Sequence, residues 1–247
     1  MLTNENFFDS VSDSYDSMIV FKDAVEKKKI FLKNFIDKKI TGAADLGCGT
    51  GVDSIALSKF GVDVTAFDIS QGMISKAKQN AEKENENITF INKSITEISD
   101  EYFNKYNFIM SLGNSLANLN PQQLGSSIGI IKNMLSKNGN VLIQILNYIP
   151  VLNNKERIIN INQDKSFHYV RFYDFVDDWL QFNILKYSVQ NPKNYEIIST
   201  KIYPHKFSLF IEFLEKAGFK NIQLFGGLNK STFEEFTSKD LVILAEN

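Results

Sequence analysis

Cysteine, histidine and arginine are nearly missing from this chain: one, two and two of them among 247 residues. A single thiol, Cys48, excludes an internal disulfide and fits a reducing compartment, so a cytoplasmic location is expected. His168 and His205 stand far apart, with no Cys/His ligand spacing around either, so no metal site is expected. No apolar run approaches the length that spans a bilayer, and no membrane partner is expected. Met1 to Asn6 show no basic stretch followed by an apolar core, so no export signal is expected. An excess of positive charge is missing too. The 27 basic residues against 29 acids leave a net charge of −2, which gives no electrostatic case for nucleic acid. Repeats and low-complexity tracts are absent.

What is present is an alternation of strand and helix signals through the first 147 residues. Val25, Phe31, Leu32 and Phe35 fall at helical spacing between Phe21 and Ile36, and Lys27 to Lys29 read as the solvated face of that helix. Strands are expected at Ala43–Leu46, Val62–Phe67, Ile88–Ile91, Tyr106–Ser111 and Val141–Asn147. Helices fit between them at Thr50–Lys59, Gln71–Glu84 with Ser70 as N-cap, and Pro121–Leu135 with Gly139 just past the end. Such alternation predicts an α/β fold with parallel strands and right-handed crossovers. After Tyr148 the rhythm changes. Arg157–Ile161, Phe167–Phe175, Trp179–Val189 and Tyr195–Tyr203 read as strands without helical spacers, with turn signals at Asp177-Asp178 and Asn191-Pro192. A helix at Phe207–Ala217 and strands at Phe219–Phe225 and Leu241–Ala245 close the chain.

The residues that carry chemistry begin at the end of the first strand. Ala44 to Gly51 reads A-D-L-G-C-G-T-G, and Asp68 ends the second strand. Glycines let the backbone approach a ligand closely, the following helix start offers free N–H groups, and an acid about twenty residues on can bind a ribose diol. These features together predict a site for an adenosine-containing cofactor. Dinucleotide enzymes show G-x-G-x-x-G, whereas Val52 here occupies the third glycine position. Asp45 suits a ligand with a cationic ammonium. Asp68 is read as the ribose ligand, with capping of the next helix as the alternative. Ile69 and Met73 would edge an adenine or belong to the core. After the third strand, Ser94 stands where many proteins with a similar cofactor turn carry an acid for the adenine amino group, and the backbone N–H of Ile95 is expected to serve there.

The A-D-L-G-C-G-T-G run resembles motif I of class I S-adenosylmethionine-dependent methyltransferases. Three further segments resemble the glycine N-methyltransferase family: G-C-G-T-G-V-D-S-I from Gly47, L-G-N-S-L-A-N-L from Leu112, and I-Y-P-H from Ile202. The resemblance implies a Rossmann-like seven-stranded, mostly parallel sheet, its last strand antiparallel, with an inserted antiparallel β lid. Residues 1–150 and 205–247 would form the S-adenosylmethionine-binding domain and residues 151–204 the lid. It also implies that Leu112 offers its carbonyl to the cofactor, that Asn114 faces the methyl acceptor, and that Tyr203 lines the transfer pocket with His205 at its mouth. The Tyr15-Asp16 pair resembles one that closes over the cofactor in small-molecule methyltransferases, which nominates Tyr15; packing onto the core is the alternative reading. Two departures stand out. Asn118 replaces the family's histidine, and Leu146 stands where glycine-specific members carry an arginine for the substrate carboxylate. Arg171, in the lid, either packs along an aromatic strand face or points inward to orient the acceptor.

The expectation is a methyltransferase that acts on a small molecule, most simply at an amine nitrogen. The alternatives are a macromolecular acceptor, or a protein that binds S-adenosylmethionine or S-adenosylhomocysteine without catalysis.

Overall fold

A computed structural model describes residues 1–247. Two helices precede the first strand, α1 (Asn4–Ile19) and α2 (Phe21–Leu32), with Val20 between them in the left-handed region at φ 53°. Next come β1 (Gly42–Leu46), α3 (Val52–Ser58), β2 (Asp63–Asp68), α4 (Gln71–Lys83), β3 (Thr89–Asn92), β4 (Tyr106–Ser111), α5 (Pro121–Met134) and β5 (Leu135–Leu146). These five strands pair in parallel in the order β3-β2-β1-β4-β5. Their runs Ala43-Ala44, Phe108 to Met110 and Val141 to Ile143 are fully buried, as parallel strands covered on both faces require. Leu124, Ile128 and Ile131 of α5 cover one face, and Val25 and Leu32 of α2 with Ile55 and Leu57 of α3 cover the other.

A short helix, α6 (Tyr148–Asn154), leads to β6 (Ile158–Gln163), β7 (Phe167–Val176), β8 (Trp179–Ser188) and β9 (Tyr195–Ile202), a four-stranded antiparallel sheet. The chain then returns through α7 (Phe207–Lys216), β10 (Lys220–Phe225) and β11 (Asp240–Glu246). β11 lies antiparallel between β5 and the edge strand β10, which completes the seven-stranded sheet. The Rossmann-like architecture therefore stands as expected.

Two local features differ from expectation. β5 starts at Leu135, directly after α5, because Leu135 already pairs with Tyr106 before the register slips to Phe108 and Asn140. Gly139 sits in that irregularity and not behind a helix end; a Cβ there would lie 2.9 Å from Ser136 O. α6 adds a helix to the expected elements; its apolar run Tyr148 to Leu152 is too short for periodicity to decide. Asn147 caps it, accepting from Ile149 N at 3.3 Å.

α1 joins the two sheets. One stripe, Phe7, Val11 and Met18, packs on Tyr169 and Ile184 of the antiparallel sheet. Its polar side docks on the start of α4. Asp9 Oδ1 accepts from Gly72 N at 2.9 Å and from Ser70 Oγ at 2.5 Å. The approach is so close that a Cβ on Gly72 would lie 2.7 Å from Ser12 Oγ. A carboxylate on the free N–H groups of a helix start acts as a cap supplied from another helix. Asp9→Ala should therefore cost about 0.5–2 kcal/mol in denaturant unfolding. A variant with the parent's midpoint and slope would show that α1 docks by apolar contact alone.

Candidate active site

Leu46 ends β1 and the chain turns sharply. Gly47 N and Cys48 N both donate to Phe67 O, at 2.8 and 3.0 Å, which folds the turn against the end of β2. Gly47 and Gly49 hold φ of +80° and +53°, a region that side chains disfavour. The two glycines serve different ends. A Cβ on Gly47 would strike Ser115 Cβ at 2.6 Å, whereas one on Gly49 would meet nothing within 4 Å and would stand in an open cavity. Asp68, at the end of β2, accepts from Gly49 N at 2.8 Å and from Ser70 N at 2.9 Å through separate oxygens. Burial nonetheless raises its pKa.

The cavity encloses about 310 Å³ at the carboxyl ends of the parallel strands, where ligands bind in open α/β sheets. Of the residues nominated from sequence, Tyr15, Gly47, Gly49, Asp68, Ile69, Met73, Ser94, Ile95 and Leu112 lie on its wall. The antiparallel sheet contributes none. α1 is the cover: Asn4, Phe8, Tyr15 and Ile19 form a second stripe, beside the one that faces the sheet, and look onto the cavity. The expected β lid thus backs the helix that closes the site.

Five nominated residues are not brought to the wall. Asp45 is buried beneath the glycine turn, where Ser54 Oγ donates to it at 2.5 Å. Burial and the neighbouring Asp53 push its pKa up to about 8, and it does not line the cavity. Asn114 has both ends of its carboxamide committed: Nδ2 donates to Tyr148 OH at 2.7 Å, and Oδ1 accepts from Leu146 N at 3.0 Å. Tyr203 and His205 support the cavity from behind. Tyr203 N donates to Ala117 O at 2.7 Å. His205 Nε2 lies 2.8 Å from Leu119 O, so it is the donor, and burial lowers its pKa. Arg171 Nε donates to Asn160 Oδ1 on the neighbouring strand at 2.7 Å, away from the wall.

Other wall residues escaped the sequence reading. Lys28 was placed on a solvated face, yet its Nζ lies 2.9 Å from Asp53 Oδ1 and both residues line the cavity. Spacing separates Lys28 and Lys29, which flank the buried Val25–Leu32 stripe, from the exposed Lys27, but does not tell which of the two meets the cavity. Thr50 and Asn118 also face the cavity, and Thr50 Oγ1 and Asn118 Oδ1 are buried without partners.

These residues fit S-adenosylmethionine. The open face of Gly49 leaves room that a side chain would fill, Asp68 is placed for a ribose, and Ile69, Met73 and Ile95 offer an apolar bed for a purine. Comparison with known proteins agrees. A methyltransferase domain family matches residues 43–139, from β1 into β5. Residues 43–139 therefore carry a methyltransferase domain, and S-adenosylmethionine-dependent methyl transfer is the activity that the similar proteins support. The chain is similar to a glycine/sarcosine N-methyltransferase from Halorhodospira halochloris, at 22% identity over 98% of this chain and 89% of that one. Its fold resembles an S-adenosylmethionine-dependent methyltransferase from Clostridium acetobutylicum, with TM-score 0.74, 18% identity, and coverage of 97% and 98% of the two chains. It also resembles a cofactor-bound amino pentose methyltransferase from Micromonospora echinaspora, with TM-score 0.63, 9% identity, and coverage of 92% and 91%.

The buried acid beneath the turn gives a pH prediction. A carboxyl whose pKa is higher folded than unfolded binds its proton more tightly in the native state. Its contribution to stability is present at acid pH and lost as pH rises toward 8. Asp45→Asn keeps an acceptor for Ser54 and cannot ionise, so its stability relative to the parent should climb between pH 5 and pH 8. A difference that stays flat in thermal unfolding would place the ionised form in the native state.

Proposed function

We propose that the protein methylates the nitrogen of a small amine that carries no carboxylate, inside the cavity beneath α1. The observation that carries this reading is the commitment of the wall's two cations. Lys93 Nζ lies 3.5 Å from Glu101 and donates to Ser99 at 3.3 Å. Lys28, paired with Asp53, stands near the glycine turn and is assigned to the carboxylate of the cofactor's methionine end. Leu146 supplies nothing in place of the arginine of glycine-specific relatives. An acceptor carboxylate would therefore lack the planar fork that anchors it best. The relative named as a glycine/sarcosine N-methyltransferase supports nitrogen as the acceptor atom.

When bound, S-adenosylmethionine supplies an activated methyl: the amine lone pair forms the C–N bond as the C–S bond breaks, its electrons stay on sulfur, and the ammonium proton leaves to water. The chain's own task is then positioning. In this reading Asp68 fixes the ribose, the Gly47–Gly49 turn carries the methionine portion, and Ile69, Met73, Ser94 and Ile95 hold the purine. Tyr15 and Phe8 exclude water from above. Alignment of this kind is worth about 7–11 kcal/mol of a barrier, so a neutral amine needs no general base. A histidine at the wall is not required, and the two in the chain lie elsewhere. Closure by α1 weighs against a macromolecular acceptor, and the chemistry suits a cytoplasmic enzyme.

The test is release of S-adenosylhomocysteine with a panel of small primary and secondary amines beside glycine and sarcosine. Turnover of a carboxylate-free amine, with glycine at background, is expected; efficient glycine turnover would refute the reading. Asp68→Asn, assayed by calorimetry, should weaken S-adenosylmethionine at least tenfold, since a hydrogen bond to a charged group is worth about 1.5–3 kcal/mol.

A further inference from the structure

One carboxamide oxygen on the cavity wall has nothing to accept. Asn118 closes the short 3-10 turn Ser115–Asn118, and its Nδ2 donates to Ser115 O at 3.0 Å. That bond fixes the amide's orientation, because turning the group over would set Oδ1 against a carbonyl. Its main chain is held as well: Asn4 Nδ2, from the cover helix, donates to Asn118 O at 2.8 Å. Asn118 Oδ1 is left buried, at the cavity, without a hydrogen-bond partner.

Both oxygens of Asp68 accept backbone N–H groups. Asp53 Oδ1 makes no hydrogen bond but lies 2.9 Å from the Lys28 ammonium, so its charge is already met. Thr50 Oγ1 is also unpartnered, but a hydroxyl carries its own proton and can serve as donor or acceptor. Asn118 Oδ1 can only accept. Buried acceptors without donors are rare in folded proteins, and one on a cavity wall is met by a ligand that brings an N–H or O–H. The neighbouring donor, Asn4 Nδ2, is already given to the Asn118 carbonyl.

We infer that Asn118 Oδ1 receives an N–H of the methyl acceptor and is the group that selects for an amine bearing hydrogen. This rests on the amine reading above and sharpens it. A primary or secondary amine can give one N–H to Asn118 while its lone pair points at the methyl. A tertiary amine has no N–H to give. Methylation therefore stops at the tertiary amine, and no quaternary ammonium product forms.

Sinefungin tests this without knowledge of the substrate, because it carries an amine where S-adenosylmethionine carries the transferable methyl. The parent should bind sinefungin more tightly than S-adenosylhomocysteine by about tenfold, the scale of one hydrogen bond involving a charged group. Asn118→Leu should abolish that preference while leaving S-adenosylhomocysteine affinity within about twofold. Asn118→Asp, which keeps an acceptor and the same shape, should preserve or widen it, and guards against misfolding as the cause. An unchanged preference in Asn118→Leu, or an equal loss for both ligands, would reduce Asn118 to a part of the cofactor wall. Loss of the preference alongside a productive amine screen confirms both readings. An intact preference in the leucine variant with a productive screen overturns the Asn118 role alone.

Discussion

The site depends on one carboxylate. Asp68 accepts from Gly49 on one oxygen and from Ser70 on the other, so it ties the turn after β1 to the start of α4. Ser70 in turn caps α4, accepting from Met73 N at 3.0 Å, and donates to Asp9 of α1. Strand, glycine turn, helix start and cover helix thus converge on a single buried acid. The arrangement holds an acid of the cavity wall in place before any ligand arrives, and preorganisation of this kind lowers the cost of binding.

α1 belongs to both halves of the molecule. Its apolar stripe packs on the antiparallel sheet, its acids Asp9 and Asp16 reach α4, and Asn80 Nδ2 donates to Asp16 at 2.9 Å. The antiparallel sheet also holds α1 through Thr200 Oγ1, which donates to Asn4 Oδ1 at 2.5 Å. The insertion therefore reaches the cavity through this helix and through the bond from Tyr203 N to Ala117 O, in the turn that carries Ser115 and Asn118. It sets the seat of the cover, and the cover sets the size of what enters.

Local signals were legible in the sequence. β4 runs Tyr106–Ser111 as its apolar run indicated, and Ser70 caps α4 as its position indicated. The glycine turn and the acid at the end of β2 announced the cofactor. What could not be read was pairing across long separations. Asn114 is absorbed by Tyr148 and Leu146, and His205 by Leu119, 86 residues away. No periodicity records such partners, so Asn114, Tyr203 and His205, nominated by likeness to a family, stand behind the wall, whereas Leu112 and Tyr15, nominated in the same way, lie on it. The seat of the inserted sheet has the same origin. The strands of the insertion were visible, but the face they cover is decided by a helix at the other end of the chain.

The central claim is that α1 closes over the cofactor while the antiparallel sheet stays behind it. Hydrogen exchange with and without S-adenosylhomocysteine addresses it directly. The account predicts slowed exchange in the 47–51 turn and along residues 4–19, with β6–β9 little changed. Protection of the turn together with unaltered exchange throughout residues 4–19 would contradict it.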